Sequence, residues 1–393
     1  MKQYSYRRNQ LWLILPGSLL AISCATGPQE MAYVERLGND TLAIEVITRT
    51  AGRIEGRVLT RNPATRVASY VATLSPDGRI TRLEVDWSVP LENPDRSPRN
   101  YVVMMEGDSA AFERRRGQKT DTLRLAVPER TIPSLGRSPA AVFVWEQAVR
   151  IAMGSDQDST PFAVLGGLRP RPQPNTIVKR GSGSVSMNYF GRPMYASIDR
   201  KGRILGISGR ATTLQIETER VSSMDFDALA ADFAARDARG EGLGVPSPRA
   251  ELETAGGGAT FHVVYSQPAK RGREIWGGLV PYDTIWRTGA NAATMFTTDR
   301  DLVIAGTVVP AGAYTLWSTF TADTDTLVIN SQTGQWGTAY DPSQDFARLP
   351  MQRDGLDESV ERFTIAIEPR NEGGVLSLTW DTRRLWIEME VQH

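Results

Sequence analysis

The sequence predicts a mainly β protein with two β-rich domains, and three observations lead to this fold class. The chain has 393 residues, which is longer than one ordinary domain. Its hydrophobic fraction of 40% is high enough to fill folded cores. Most of the chain alternates apolar with polar residues over short runs bounded by turn residues, a pattern that is typical of antiparallel strands.

Residues 25–222 predict an antiparallel open barrel or curved sheet that includes one or two helices. Runs such as DTLAIEVITRT and GRITRLEVDW have the two-residue period of half-buried strands. Two segments, TLSPDGRI at 73–80 and SIDRKGRI at 197–204, share a strand, a charged tight turn with glycine, and a returning strand. This shared pattern predicts two related halves of the domain.

Two helices are predicted, one between the two related segments and one just after this domain. The first has apolar residues at helical spacing, namely Val142, Trp145, Val149 and Ala152. The second begins near Asp225, where either Ser223 or Asp225 can be the N-cap, and Gly240 can end it. The second helix and the Gly/Pro-rich segment that follows it are predicted to form the linker, residues 223–251.

Residues 252–393 predict an antiparallel β-sandwich or jelly-roll-like domain. Runs such as FHVVYS, AYTLWSTF and DTLVINS are short and lack a helical period. Turns are predicted at 309–312, before AYTLWSTF, and at 380–382, before the last strand.

Residues 1–24 have the pattern of a lipoprotein signal peptide. Three basic residues precede LWLILPGSLLAI, an apolar run that is too short to span a bilayer. Cys24, the only cysteine of the chain, follows at the end of that run, as in the lipidation site of bacterial lipoproteins. The sequence therefore predicts a membrane anchor through acyl chains on Cys24. The alternative is ordinary cleavage after Ala25, which would release a soluble periplasmic or secreted protein.

The residue after Cys24 is alanine and not aspartate. By analogy with enteric bacteria, this favours a location on the outer membrane. The predicted location is therefore the cell envelope, on the outer membrane facing the periplasm.

Charge and histidine content exclude several classes of function. Lys+Arg and Asp+Glu both total 45, but residues 251–393 hold 11 Lys/Arg and 19 Asp/Glu. Basic residues are scattered and do not cluster with aromatics, so no nucleic-acid binding is predicted. The chain has two histidines, His262 and His393, and neither metal-ligand spacing nor a nucleophile motif accompanies them. We therefore predict no metal site, no cofactor and no catalytic triad.

A dense pattern of aromatic residues, glycine and proline lies at the start of the second domain. YSQPAKRGREIWGGLVPYDTIWRTGANAAT spans residues 265–294, and PAGAY and QWG follow it. This pattern resembles that of a widespread bacterial domain family of unknown function, found mostly in secreted proteins and envelope lipoproteins. Its shared elements are Tyr-Ser-x-Pro, Gly-Arg-x-Ile-Trp-Gly, Val-Pro-Tyr, Trp-Arg-x-Gly-Ala-Asn, Pro-Ala-Gly-x-Tyr and Trp-Gly. The resemblance covers about residues 252–391 and implies a compact β domain without an assigned activity, substrate or catalytic residue.

Within this signature we expect a ligand-binding group. Its members are Arg273, Tyr282, Trp286, Arg287 and Asn291. Guanidinium forks bind carboxylates and phosphates at two points, aromatic rings stack on ligands, and asparagine offers both a donor and an acceptor. The alternative is structural, with Trp286 in the core, Arg287 paired with an internal acid such as Asp345, and Asn291 in a turn.

The sequence thus predicts an envelope lipoprotein that acts as a non-catalytic binding or scaffold module for a small polar or anionic ligand or a protein partner. The alternative is an envelope hydrolase that acts on glycan or peptide through acidic loop residues. The candidate acids are Asp323, Asp325, Asp341, Asp345, Asp354 and Asp357.

Overall fold

The computed structural model describes residues 29–88, 99–116, 119–135, 141–166, 170–189, 192–321 and 323–392. The predicted signal peptide and Cys24 lie outside the described residues. The described chain forms two sheets and two α-helices, which confirms the predicted mainly β fold class. Within these ranges, neither helix has the length and apolar character needed to cross a membrane.

The first sheet contains fifteen strands of the described chain, and the last of them ends before the predicted linker. The strands are β1 (Gln29–Leu37), β2 (Asp40–Arg49), β3 (Arg53–Thr60), β4 (Arg66–Leu74), β5 (Ile80–Ser88), β6 (Arg99–Glu106), β7 (Ser109–Arg116), β8 (Lys119–Ala126), β9 (Thr131–Ser134), β10 (Ser159–Gly166), β11 (Pro172–Lys179), β12 (Ser184–Tyr189), β13 (Arg192–Ile198), β14 (Ile204–Ser208) and β15 (Ile216–Val221). Neighbouring strands run in the order β8 to β1 and then β15 to β9, with every pair antiparallel except β9 and β10.

Helix α1 (Val142–Met153) fills the concave side of this sheet. It packs against β9, β10, β11 and β14, and Phe143 stacks on Tyr70 of β4 with ring centroids 4.4 Å apart. The sheet curls far enough for the Tyr101 hydroxyl of β6 to donate to the Ser134 carbonyl of β9 at 2.9 Å. No backbone pairing joins β9 to β5 or β6 in the described ranges, so the first sheet is the predicted open, curved barrel.

Helix α2 (Phe226–Ala238) lies on the outer face of the first sheet. Its N-cap is the predicted Asp225, whose carboxylate accepts from the Ala228 N–H at 3.0 Å. Phe226 and Phe233 pack with Ile44 of β2, which points away from the α1 core. The predicted linker helix is therefore a packed element of the N-terminal part.

The second sheet contains ten strands of the described chain. They are β16 (Arg249–Gly256), β17 (Ala259–Ser266), β18 (Ile285–Trp286), β19 (Thr294–Thr298), β20 (Leu302–Ile304), β21 (Thr307–Val309), β22 (Gly312–Phe320), β23 (Asp325–Asn330), β24 (Asp345–Arg370) and β25 (Gly373–Val391). Their order is β16-β17-β19-β22-β23-β24-β25-β20-β21, and β18 pairs with β22.

This second sheet folds over one main core, as the prediction of a sandwich-like domain requires. Strands β17 and β24 are separated by three strands in the sheet order, yet they meet across the core. The Tyr265 hydroxyl of β17 accepts from the Ile365 N–H of β24 at 3.1 Å. The ring of Tyr265 also meets the ring of Phe363 edge-on, with centroids 6.0 Å apart.

The predicted turn at 380–382 is wrong. These residues lie inside β25, where the pairing with β24 shifts register opposite Val360. Asp381 has a φ of +51°, a left-handed conformation that lets one strand absorb an irregularity without reversing. A turn-forming residue between two apolar runs is compatible both with a bulge inside one strand and with a reversal of the chain between two strands.

Candidate functional site

The signature lies mostly in the long connection between β17 and β19, residues 267–293, which crosses the edge of the second sheet. Only β18 within it is a strand, and it pairs with β22. Four non-glycine residues of this connection have positive φ, namely Arg271, Asp283, Thr288 and Asn291. Such conformations persist where the surrounding structure enforces them, and they concentrate at functional sites.

Arg287 is half-buried in this connection and lacks an acidic partner among the described residues. Its Nη1 donates to the Gly337 carbonyl at 3.3 Å, and its buried Nε has no acceptor among the described residues. Burial lowers the pKa of Arg287, and the positive charge of Arg192 on β13 lowers it further. Asp345, the internal acid considered as its partner, pairs instead with Arg348. The structure therefore leaves the charge of Arg287 without a counter-ion in the described chain.

Asn291 lies beside Arg287 and is exposed. Its φ of +62° is a conformation that asparagine tolerates better than most residues. The side-chain amide donates to the Ser247 carbonyl at 3.3 Å and the Ser266 hydroxyl at 3.4 Å. No described residue donates to its side-chain oxygen, so that acceptor faces solvent.

Two distant parts of the signature meet at this point. The Gly337 N–H donates to the Asn291 carbonyl at 2.9 Å, and Ala292 forms a β-bridge with Trp336. A Cβ at position 337 would stand 2.0 Å from Cδ of Arg287 and 2.6 Å from the Asn291 carbonyl oxygen. Glycine is therefore needed at 337, and the Trp-Gly element of the signature is explained by its contact with the Trp-Arg-x-Gly-Ala-Asn element. We call Arg287, Asn291 and Gly337 the Arg287 junction.

Arg273 lies elsewhere, between the two sheets. Its Nη1 donates to the Leu214 carbonyl, between β14 and β15, at 3.0 Å, and its Nε donates to the Lys270 carbonyl at 3.1 Å. Burial, reinforced by the positive charge of Arg271, lowers the pKa of Arg273 to about 10. Arg271 is held at the same interface by an ion pair with Asp40. The structure thus makes Arg273 a contact between the domains.

Trp286 and Tyr282 are also separate from the Arg287 junction. Trp286 is in the core of the second sheet, stacked on Trp380 with centroids 6.1 Å apart. Tyr282 is exposed, and its hydroxyl accepts from the Arg383 guanidinium at 2.9 Å. Arg383 lies over the Trp276 ring at 5.0 Å. Of the five residues predicted for the ligand site, the structure brings only Arg287 and Asn291 together.

Several acids that the alternative hydrolase interpretation proposes as catalysts form ion pairs within the fold or lie in strands. Asp325 is buried and forms an ion pair with Arg353 through both oxygens at 2.6 Å. Asp345 is bound by Arg348 at 2.6 Å. Asp354 and Asp357 lie within β24 instead of in a loop, so the loop placement predicted for them is wrong.

The described chain is thus a mainly β protein with two antiparallel sheets and a polar junction in the second. Residues 247–389 match the family described as "Protein of unknown function (DUF2911)". This match confirms, at that coarse level, the resemblance of the C-terminal region to a domain of unknown function. No curated protein matches the chain.

Two solved structures are similar to part of the chain. One is a β-barrel-like protein of the DUF1849 family from Brucella abortus, with a TM-score of 0.35 and 12% identity over 49% of this chain and 95% of that one. The other is a DUF1089-family protein from Pseudomonas aeruginosa, with a TM-score of 0.32 and 12% identity over 43% of this chain and 90% of that one.

Proposed function

We propose that the protein is an envelope lipoprotein that binds a small anionic ligand at the Arg287 junction without catalysing a reaction. One observation carries the proposal: Arg287 is half-buried, and no described carboxylate neutralises it. Arginine cannot shed its proton at physiological pH, so a partly desolvated guanidinium gains free energy from an external anion. A carboxylate or phosphate would accept two parallel hydrogen bonds from its fork.

The surroundings of Arg287 fit an anionic ligand that also carries hydroxyl groups. The free side-chain oxygen of Asn291 can accept from a hydroxyl of the ligand. Arg192 adds a second positive charge from the first sheet. A sugar acid combines the carboxylate that suits Arg287 with the hydroxyl that suits Asn291.

The ion pairs formed by the candidate acids favour a binding function over hydrolysis. A glycosidase needs two carboxylates free to act as acid and base or nucleophile. Asp325 and Asp345 are instead held by arginines. The proposal therefore assigns no catalytic residue.

The proposed anchor is acylated Cys24, which places the protein on the outer membrane facing the periplasm. Strand β1 begins at Gln29, five residues after Cys24. Five residues span at most about 18 Å, so an anchored chain would hold its first sheet close to the membrane surface. Mass spectrometry of the mature N-terminus tests the anchor: an acyl mass is expected in the native chain and absent in Cys24→Ala. An unacylated native cysteine would refute this part of the proposal.

Calorimetric titration tests the binding site with sodium glucuronate and inorganic phosphate as probes and neutral glucose as the reference. We expect the native chain to bind at least one of the two anions and not glucose. Arg287→Gln should lose tenfold or more in affinity, and Arg287→Lys should lose less because the charge remains while the fork is lost. Arg300→Gln, a change at an exposed arginine, is the control. Equal binding by the native chain and Arg287→Gln would refute the site.

A further inference from the structure

A second, basic site lies in the first sheet, away from the Arg287 junction. A cleft of about 450 Å³ opens where the start of β1, the β13–β14 turn and the end of β15 meet. Its charged lining consists of Glu30, Asp199, Arg200, Lys201, Arg203 and Arg220. Four cations therefore face two carboxylates across this opening.

One of the two carboxylates is already neutralised within the protein. Asp199 is bound by Arg220 at 3.5 Å and accepts from the backbone N–H groups of Arg203 at 3.0 Å and Lys201 at 2.9 Å. Although burial opposes it, these hydrogen bonds hold the pKa of Asp199 below its usual range. Arg200 and Lys201 are exposed and form no ion pair within the described chain. The cleft thus keeps a positive charge that its own acids do not cancel.

The other copy of this turn shows that the fold does not require these cations. In the β4–β5 turn, the Ser75 N–H donates to the Arg79 carbonyl and the Gly78 N–H to the Ser75 carbonyl, at 2.9 and 2.7 Å. In the β13–β14 turn, the same two bonds join Asp199 with Arg203 and Gly202 with Asp199, both at 2.9 Å.

Both turn glycines have positive φ, +76° at Gly78 and +73° at Gly202, which glycine accepts without strain. The tips differ in chemistry: Pro76 and Asp77 stand in the first turn where Arg200 and Lys201 stand in the second. Because the same backbone turn forms with proline and aspartate, the two cations are free to serve a ligand.

We propose that this basic cleft binds a phosphate group, supplied by the headgroup of an anionic phospholipid. The Arg200 guanidinium would bind two phosphate oxygens, and the Lys201 ammonium would add a mobile positive charge. Glu30 lines the cleft only six residues after Cys24, so a lipid on that cysteine would hold the cleft within about 22 Å of the headgroups. The choice of lipid headgroup rests on the proposed anchor, whereas the phosphate class rests on the cleft alone.

The test measures binding of the full chain to phosphatidylglycerol vesicles and to phosphatidylcholine vesicles, so that membrane affinity from the apolar leader cancels in the ratio. The variant Arg200→Gln/Lys201→Gln removes the two charges and keeps the turn. The matched control, Lys119→Gln/Arg171→Gln, removes two exposed charges outside the cleft. We expect the cleft variant to reduce the phosphatidylglycerol preference about 30-fold, which corresponds to about 1 kcal/mol for each cation. The control should keep that preference.

A second arm titrates the same proteins with glycerol 1-phosphate in the absence of vesicles. Loss of one equivalent of binding in the cleft variant, with that equivalent kept in Arg287→Gln, supports the phosphate site independently of the anchor and of the Arg287 junction. Soluble phosphate binding without a phosphatidylglycerol preference would overturn the lipid source. Equal behaviour of the cleft variant and its control in both arms would overturn the site itself.

Discussion

The α1 core of the first sheet buries the carboxyl groups of Glu45 and Glu146, whereas the Arg287 junction only half-buries its guanidinium, and only the α1 core supplies these groups with partners. On α1, Glu146 accepts from the Tyr33 hydroxyl at 2.8 Å and the Ile204 N–H at 3.1 Å, and it pairs with Arg49. Each oxygen of this carboxylate therefore has a donor.

The neighbouring Glu45 is also matched by hydrogen-bond donors, while burial raises its pKa to about 8. Its carboxylate accepts from the Tyr70 hydroxyl at 2.7 Å and from the Val142 N–H at the start of α1. A helix N-terminus presents unpaired N–H groups and a partial positive charge, which a carboxylate satisfies. Together Glu45 and Glu146 fasten α1 to the strands around it.

The Arg287 junction shows the opposite arrangement, because one long hydrogen bond is all that the described chain gives its guanidinium. The difference between these two regions distinguishes structural charges from charges that are available to a ligand. A buried charge that is fully matched belongs to the fold, whereas an unmatched charge with access to solvent can bind a counter-ion.

Glu146→Gln should cause the largest loss of stability. The substitution leaves Arg49 inside the sheet without its negative partner, and breaking a buried pair costs about 3 kcal/mol or more. Urea denaturation measures the free energy of unfolding. Glu219→Gln breaks the exposed pair with Arg36 and serves as the control, with an expected loss below about 1 kcal/mol. Similar losses in both variants would contradict the structural role of the buried cluster.

Glu35 should make the protein less stable as the pH rises. It is 2% exposed, its Oε1 has no donor in the described chain, and burial raises its pKa from 4.5 to about 8. Because the folded-state pKa lies above the unfolded value, the stability contribution is complete below about pH 4.5 and is lost as the pH approaches 8. Unlike Arg287, this group avoids an unmatched charge by staying protonated.

Glu35→Gln should remove this dependence, since glutamine stays neutral. Between pH 5 and 9, the unfolding free energy of the variant relative to the native chain should increase by on the order of 3 kcal/mol. Glu45, whose pKa burial also raises to about 8, is retained in both proteins and cancels in the difference. If the difference in unfolding free energy stays constant across this range, Glu35 ionises in the folded protein without loss of stability.

Arg273→Gln should destabilise the chain by about 2 kcal/mol. It removes hydrogen bonds from a charged donor to carbonyls on both sides of the domain interface, and each of these partly exposed bonds contributes about 1 kcal/mol. Urea denaturation followed at tryptophan fluorescence measures the loss. A neutral effect would mean that the contact between the two sheets does not depend on this side chain.

Much of the fold followed from local patterns that the sequence displays. The alternation in the strands predicted the sheets, and the cap of α2 is Asp225, one of the two predicted candidates. The merging of two predicted strands into β25 was not foreseen, because a bulge and a turn use the same residue types.

The buried acids were missed although the sequence contained a sign of them. Glu45 occupies an inward position of an alternating strand, between the buried residues Ala43 and Ile47. Glu146 lies four residues after Val142 and three before Val149, on the apolar face of α1. A charged residue at an inward position in such a pattern indicates a buried, matched carboxylate, and this reasoning would have found both.

The candidate site depended on tertiary contacts that no local pattern contains. Arg273 and Arg287 have the same chemistry and lie in one signature, yet the first meets a carbonyl of the other domain and the second meets a glycine fifty residues away. The choice between an internal acid and an external ligand is made by which chain segment packs beside each guanidinium.

Arg287→Gln should have the smallest effect on stability and the largest on anion binding. Its single 3.3 Å hydrogen bond contributes little, and glutamine removes an unmatched charge, so the unfolding free energy should change by less than about 1 kcal/mol. Asn291→Gly tests its neighbour without forcing a larger residue into positive φ, and it removes the amide while leaving the carbonyl that accepts from Gly337. Both variants should unfold near the native urea midpoint and bind glucuronate or phosphate more weakly. If each instead loses several kcal/mol of stability, as Glu146→Gln is expected to do, Arg287 and Asn291 belong to the fold and the binding proposal is wrong.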